Sequence, residues 1–226
     1  MNKLPLIKPF INTNVFDDLC ISSITDDSRD VKENSLFIAR QGVGSHGNEF
    51  VRDAIHKGAS CIITDKKIDE ELDIPIYYFH NLEDRILEIL YSFNDLSEDD
   101  LIFNGVTGTN GKTTTAFMAH NIIRALKRPS VYIGTLGAII NDDHIETKGN
   151  TTPGIFEIFQ ILQDCKFQQK TSIFIEISSH ALAQKRIGNI FFLQTVLLNI
   201  QSDHLDYHKT EADYINAKLS LSLIHI

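Results

Sequence analysis

The chain has 226 residues, 42% of them hydrophobic, with a formal charge of −9 and a pI of about 5.4. That length fits one large or two modest domains with filled cores, and an acidic chain without a basic run excludes a binder that works by neutralising a nucleic-acid backbone. No apolar stretch reaches transmembrane length, and Met1 to Phe10 carries Pro5 and Pro9 where a signal peptide needs an unbroken apolar run, so a cytoplasmic protein without membrane insertion is expected. Cys20, Cys61 and Cys165 are odd in number, far apart and without metal spacing, and read as reduced, mostly buried thiols.

In chain order, short apolar runs at Ser35 to Ala39, Ser60 to Thr64 and Ile76 to Phe79 predict strands. The periodicity of Glu49 to Lys57 and of Leu82 to Phe93 predicts helices, and together these make a small α/β domain. The acidic, turn-rich segment Asn94 to Asp100 marks a domain boundary. Beyond it, apolar runs at Leu101 to Val106, Val131 to Thr135, Ser172 to Ile177 and Phe191 to Ile200 alternate with helical patterns, the signature of a mostly parallel sheet. Thr113 to Leu126 reads as a helix that stops before Pro129. Thr152 and Pro153 read as the N-cap and first position of a helix running towards Leu162.

The segment Gly105-Val106-Thr107-Gly108-Thr109-Asn110-Gly111-Lys112-Thr113-Thr114 joins the first of those later strands to its helix. A glycine-rich turn there aims backbone N–H groups and the positive end of the helix dipole at a polyphosphate. Lys112 would neutralise terminal phosphate oxygens, and Thr113 would offer its hydroxyl to Mg²⁺. The first glycine of a strict P-loop would stand at position 106, which is Val106. Glu176 falls near the carboxyl end of the strand Ser172 to Ile177, the edge where open α/β sheets bind ligands. It is either a magnesium ligand or an ordinary strand-end acid. Ser178 and Ser179 either meet a substrate or cap the next helix, and His180 reads first as a structural histidine. Asp203, His204, Asp206 and His208 lack a thiolate and the helical HExxH spacing, which argues against structural zinc. They suit a hard-metal site or a polar loop with an N-cap. Lys218, taken alone, is a solvated helix lysine.

In this order the motifs resemble the Mur ligase family, MurE type. The residues that carry the resemblance are Asp27-Ser28-Arg29, Leu36 to Ala39, His46-Gly47, Gly108 to Thr114, Asn150 to Pro153, Glu176 to Leu182 with Gln184 and Arg186, Asp203 to His208, and Ala217-Lys218. The resemblance implies an α/β fold class. A small N-terminal α/β uridine-binding domain over residues 1–95 would be followed by an incomplete P-loop-type, mostly parallel-sheet ATPase domain over 96–226. The family's carboxy-terminal amino-acid-binding domain would be absent.

The same resemblance implies ATP bound by Gly108, Thr109, Asn110, Gly111, Lys112, Thr113 and Thr114. It also implies two Mg²⁺ sites, Thr113 and Glu176 at the first and His204 joining Glu176 at the second, with a carbamylated Lys218 as an anionic oxygen ligand. Lys112, Glu176, His204 and Lys218 would be the catalytic set. Ser28, Val43, Gly44 and Ser45 would meet the uridine end of UDP-N-acetylmuramoyl-L-alanyl-D-glutamate, and Asn150, Thr151, Thr152, Ser178, Gln184 and Arg186 its muramoyl-dipeptide. The implied reaction, in peptidoglycan synthesis, activates the D-glutamate γ-carboxylate as an acyl phosphate and joins it to the amine of L-lysine or meso-diaminopimelate. The protein would act as a monomer.

The sequence ends soon after Lys218, so the chain is expected to be a fragment that binds nucleotide poorly and ligates nothing. A generic P-loop kinase accounts for the first motif alone. A sister MurF-type ligase accounts for Asp27-Ser28-Arg29 but less well for the segments at 150–153 and 176–180. A non-catalytic nucleotide- or UDP-muramoyl-binding module is the remaining alternative.

Overall fold

The computed structural model describes residues 19–163, 170–201 and 205–223. The chain divides into two compact units between Leu96 and Ser97.

In the first unit four strands, β1 (Ser23–Thr25), β2 (Ser35–Ala39), β3 (Ala59–Thr64) and β4 (Ile76–Tyr78), form an all-parallel sheet in that order. Every residue of β2 is buried, and all but one of β3, as strands covered on both faces require. Helix α1 (Val51–His56) crosses from β2 to β3, and its Val51 and Ala54 join Val31, Phe37, Ala39, Ala59 and Ile62 in one apolar core. Helix α2 (Leu82–Asn94) buries Leu82, Ile86, Ile89, Leu90 and Phe93, a single face at helical spacing, and ends on Asp95 in the left-handed conformation at φ 55°. The predicted strands and helices of this half are all present, with ends shifted by one or two residues. Strand β1 was not anticipated, since three residues are too few to show a period of two.

The second unit carries a six-stranded sheet of β5 (Leu101–Thr107), β6 (Ser130–Gly134), β7 (Gly137–Ile140), β8 (Asp143–Ile145), β9 (Thr171–Glu176) and β10 (Phe192–Leu197), in the spatial order β10-β5-β9-β6-β7-β8. The strands β10, β5, β9 and β6 run parallel, while β6, β7 and β8 form an antiparallel meander at one edge. Helices α3 (Lys112–Ala125), α4 (Ile155–Gln163) and α5 (Ser179–Ala183) lie in the connections, and α6 (Leu205–His208) and α7 (Glu211–Leu223) follow the sheet. The chain leaves β5 towards β6 on one side and later places β10 on the other. The carboxyl ends of β5 and its neighbours therefore form the switch point at which such sheets bind ligands.

Three expectations change here. Helix α4 starts at Ile155, not at Pro153; Gly154 O accepts from Ile158 N, and Thr152 is buried against the end of β9 instead of capping the helix. The run Phe191 to Ile200 narrows to an edge strand with Leu193, Val196 and Leu197 exposed. Cys20 is exposed; only Cys61 is buried, its thiol pushed up to about 12 by burial, and Cys165 lies outside the described residues.

Candidate active site

The phosphate-loop segment leaves β5 and enters α3 through Gly108 at φ 152° and Gly111 at φ 85°, the second being the left-handed N-cap of the helix. A side chain would be strained at Gly111, and at Gly108 its Cβ would also stand 3.1 Å from Leu198 Cβ. No side chain caps α3. Its first-turn amides, at Lys112, Thr113 and Thr114, are thus the donors that a helix start offers to an anion. Lys112 Nζ folds back to donate to Gly108 O and Thr109 O, each at 2.9 Å.

Two expected loop donors are engaged elsewhere. Thr109 N donates to Asn199 O at 3.1 Å and Asn110 N to Asn199 Oδ1 at 2.9 Å, while Asn199 Nδ2 returns a bond to Asn110 O at 3.0 Å. Gln201 adds a bond from its N to Thr109 Oγ1 and accepts one from Asn110 Nδ2. The loop is thus laced to the segment that leaves β10. Sequence reading missed both residues, whose only signal is that they follow an apolar strand.

Glu176, the last residue of β9, is fully buried. Its Oε2 accepts from Thr113 Oγ1 at 2.8 Å and from Thr135 Oγ1 at 3.3 Å. Its Oε1 accepts from Thr135 N at 3.0 Å and, in a very short bond, from the Tyr132 hydroxyl. A buried carboxylate persists only when donors satisfy it in this way, so the strand-end surface acid is ruled out. Burial pushes the Tyr132 phenol above its ordinary range, and the bond to Glu176 adds to the effect, keeping it a proton donor. Gly134, between Tyr132 and Thr135, makes the approach possible: a Cβ there would stand 2.6 Å from the Tyr132 hydroxyl and 2.7 Å from Glu176 Cδ. Tyr132, Gly134 and Thr135 were not singled out from sequence, because only the register of β6 beside β9 brings them to Glu176.

Lys218, on α7, is 2% exposed, so the solvated helix lysine is corrected. Its Nζ donates to Gly108 O at 2.8 Å and lies 4.7 Å from the centre of the Tyr214 ring. Tyr214, one turn earlier, meets Thr109 Oγ1 through its hydroxyl at 2.8 Å. Helix α7 therefore touches the phosphate loop at two points. His204 lies outside the described residues, as does Asp203, and the side chain of Asp206 is not described. Among the described residues no group of three or more His, Cys, Asp or Glu is placed to hold a metal. Thr113 and Glu176 nevertheless bring two hard oxygen donors to one point beside the helix start, the chemistry that Mg²⁺ prefers.

Of the six residues expected at a peptide, four are chained together. Thr152 Oγ1 donates to Glu176 O at 2.8 Å and accepts from Ser178 N at 2.9 Å. Arg186 Nε donates to Gln184 Oε1 at 2.6 Å, and its Nη1 reaches Thr152 O at 3.5 Å. Gln184 Nε2 donates to the Tyr207 hydroxyl at 3.1 Å, and the Tyr207 ring stands 4.2 Å from that of His180. Ser178 caps α5 through Ala181 N, so it serves the helix and faces Thr152 at once. Thr151 meets Thr135 Oγ1 at 3.4 Å, and Asn150 is exposed.

In the first unit Ser28 follows β1 and the turn holding Val43, Gly44 and Ser45 follows β2, at the carboxyl ends of adjacent parallel strands. Ser28 is buried and Val43 is 76% exposed. The turn is closed by Gly42 N donating to Ser45 O at 2.9 Å and by the bridge between Gln41 and His46. His46 Nδ1 accepts from Asn48 N, which places its proton on Nε2, 2.8 Å from Asp65 Oδ1. Gly47 must be glycine because a Cβ would stand 2.6 Å from Ala39 Cα.

Residues 106–223, more than half of the chain, match the Mur ligase middle domain, and residues 20–88 match the Mur ligase family, catalytic domain. The chain belongs to the Mur ligase family. The phosphate loop, Glu176 and Lys218 all fall within the middle-domain match. A UDP-N-acetylmuramoyl-L-alanyl-D-glutamate–2,6-diaminopimelate ligase of Cytophaga hutchinsonii is 36% identical over 203 residues, covering 89% of this chain and 42% of the relative. One from Listeria monocytogenes is 34% identical over 218 residues, covering 96% of this chain and 44% of its own length. A solved structure of a ligase with the same name superposes with a TM-score of 0.72 at 24% identity, covering 98% of this chain and 44% of the other. A MurF ligase from Thermotoga maritima in complex with ADP gives 0.53 at 22% identity, covering 91% and 44%. The two structural likenesses speak to the Mur ligase fold alone. The chain spans less than half the length of these relatives.

Proposed function

We propose that this chain is the nucleotide- and UDP-muramoyl-binding part of a MurE-type ligase. That enzyme would use ATP to join an amino acid, meso-diaminopimelate or L-lysine, to UDP-N-acetylmuramoyl-L-alanyl-D-glutamate. The observation that carries the reading is the fully buried Glu176 bonded at 2.8 Å to Thr113 of the phosphate loop. A carboxylate from the end of β9 and a hydroxyl from the first turn of α3 meet beside the start of that helix. The names of the relatives at 34% and 36% identity favour the MurE type and a diaminopimelate substrate.

The first-turn amides of α3 would hold nucleotide phosphate oxygens, and Lys112 would swing from the carbonyls of Gly108 and Thr109 to the terminal phosphate. Thr113 and Glu176 would hold one Mg²⁺, His204 would join Glu176 at a second, and a carbamylated Lys218 would add an anionic oxygen ligand. The ions would supply charge neutralisation between the carboxylate nucleophile and the phosphate it attacks. Arg186, Gln184, Ser178 and Thr152, already tied to one another and to the end of β9, would orient the peptide so that its γ-carboxylate lies in line with the terminal phosphate. The burial of Lys218 against the loop supports a role there; its carbamate would turn a cationic group into an oxygen ligand. In the first unit Ser28 and the turn 43–45 would take the uridine end.

Calorimetric titration with UDP-N-acetylmuramoyl-L-alanyl-D-glutamate tests the reading. Saturable binding that weakens on Ser28→Ala or Arg186→Ala is expected; an absence of heat up to millimolar ligand would reject the substrate assignment.

A further inference from the structure

The carboxylate of Glu176 is held asymmetrically. Two donors converge on Oε1, and both donor atoms are fixed in position: the backbone N of Thr135 and the hydroxyl oxygen of Tyr132, whose ring is fully buried among neighbours that include Phe117 and His120. The donors on Oε2 are the hydroxyls of Thr113 and Thr135, which turn freely about their C–O bonds and can give way to a cation. Gly134 keeps this arrangement open, since any Cβ there would fall between the tyrosine and the carboxylate.

We infer that Tyr132 is a positioning residue that locks Oε1 of Glu176 and thereby presents Oε2 alone to the divalent cation of the bound nucleotide. The inference rests on the proposed function, because it needs a Mg·nucleotide at the loop. A carboxylate held by one oxygen binds an octahedral cation through the other, at a set angle, whereas an unlocked one can rotate or chelate through both. The tyrosine touches neither nucleotide nor peptide in this scheme and acts through Glu176. Its hydroxyl oxygen also accepts a bond from Leu136 N, in the turn after β6, at 3.3 Å.

The test is Tyr132→Phe, which keeps the ring and removes one hydrogen bond. ADP is titrated into the purified 226-residue chain and into the variant, each with excess Mg²⁺ and with EDTA. The parent is expected to bind ADP more tightly with Mg²⁺. The variant is expected to lose about tenfold in the Mg²⁺-dependent affinity, the loss typical of one hydrogen bond to a charged group, with metal-free ADP binding unchanged. A crystal structure of the variant is expected to show Glu176 Oε1 turned away from Thr135 N. Equal losses with and without Mg²⁺, no loss at all, or a variant that fails to fold would overturn the inference and leave the functional reading standing. A parent that binds no ADP under either condition would overturn the functional reading, and the inference with it.

Discussion

Gly134→Ala adds one methyl group at the most crowded point of the candidate site. Gly134 ends β6, is buried, and pairs with Gly137 across the β6–β7 hairpin. The new Cβ would stand 2.6 Å from the Tyr132 hydroxyl, 2.7 Å from Glu176 Cδ and closer still to Oε1. Neither side chain has an easy retreat, because Tyr132 is walled in by Phe117 and His120, and Glu176 is tethered to Thr113 and Thr135. Overpacking of this kind costs about 1–3 kcal/mol. Displacing the tyrosine from the carboxylate adds about 1.5–3 kcal/mol for a hydrogen bond to a charged group. A total of about 3 kcal/mol or more is a large share of the roughly 5–15 kcal/mol that holds a typical domain together. Urea unfolding followed by circular dichroism should show a clear drop in midpoint. Gly154→Ala, where a Cβ meets nothing within 4 Å, should shift the midpoint little. Equal midpoints for Gly134→Ala and the parent would refute the close packing of Tyr132, Gly134 and Glu176.

Lys112→Ala should weaken ATP binding by at least about tenfold through lost phosphate contacts, and losing its two bonds to Gly108 O and Thr109 O should lower stability by about 1–2 kcal/mol, as measured by parallel titration and melting. Asn199→Ala removes two side-chain bonds to Asn110 and should loosen the phosphate loop. Faster amide exchange at residues 108–111 and a stability loss of about 1–2 kcal/mol are expected; unchanged exchange would count against the clamp. His120 is fully buried, and burial, with a smaller push from Arg124, lowers its pKa from 6.5 to about 4. The neutral ring therefore favours folding above pH about 6.5, and that contribution is lost as the pH falls towards 4, by up to about 3 kcal/mol. The pH slope of unfolding free energy over this window should flatten in His120→Asn.

Much of this architecture was legible because each half repeats simple patterns. Mostly apolar runs such as Ser35 to Ala39 and Leu101 to Val106 read as covered strands, and Leu82 to Phe93 shows a helical face without ambiguity. The hairpin of β7 and β8 escaped because strands of four and three residues show no period, although Asn141, left-handed at φ 56°, sits at its turn. Thr152 misled for a different reason. Thr-Pro is a good helix start in isolation, and the competing hydrogen bonds to Glu176 O and Ser178 N come from 24 and 26 residues away. The same limit hid Tyr132 and Asn199, whose chemistry depends on strand register and chain crossing. Glu176 and Lys218 were found as positions, but their burial was not legible, because sequence position alone does not distinguish a solvated lysine from one packed on a loop.

Titration of ATP into this chain and into Glu176→Gln, each with and without Mg²⁺, tests the central claim most directly. The account predicts that Mg²⁺ tightens ATP binding to the parent and that this gain largely disappears in Glu176→Gln, whose neutral amide is a poor ligand for a hard cation. A Mg²⁺-dependent gain of equal size in both proteins, or no ATP binding to the parent at millimolar concentration, would contradict it.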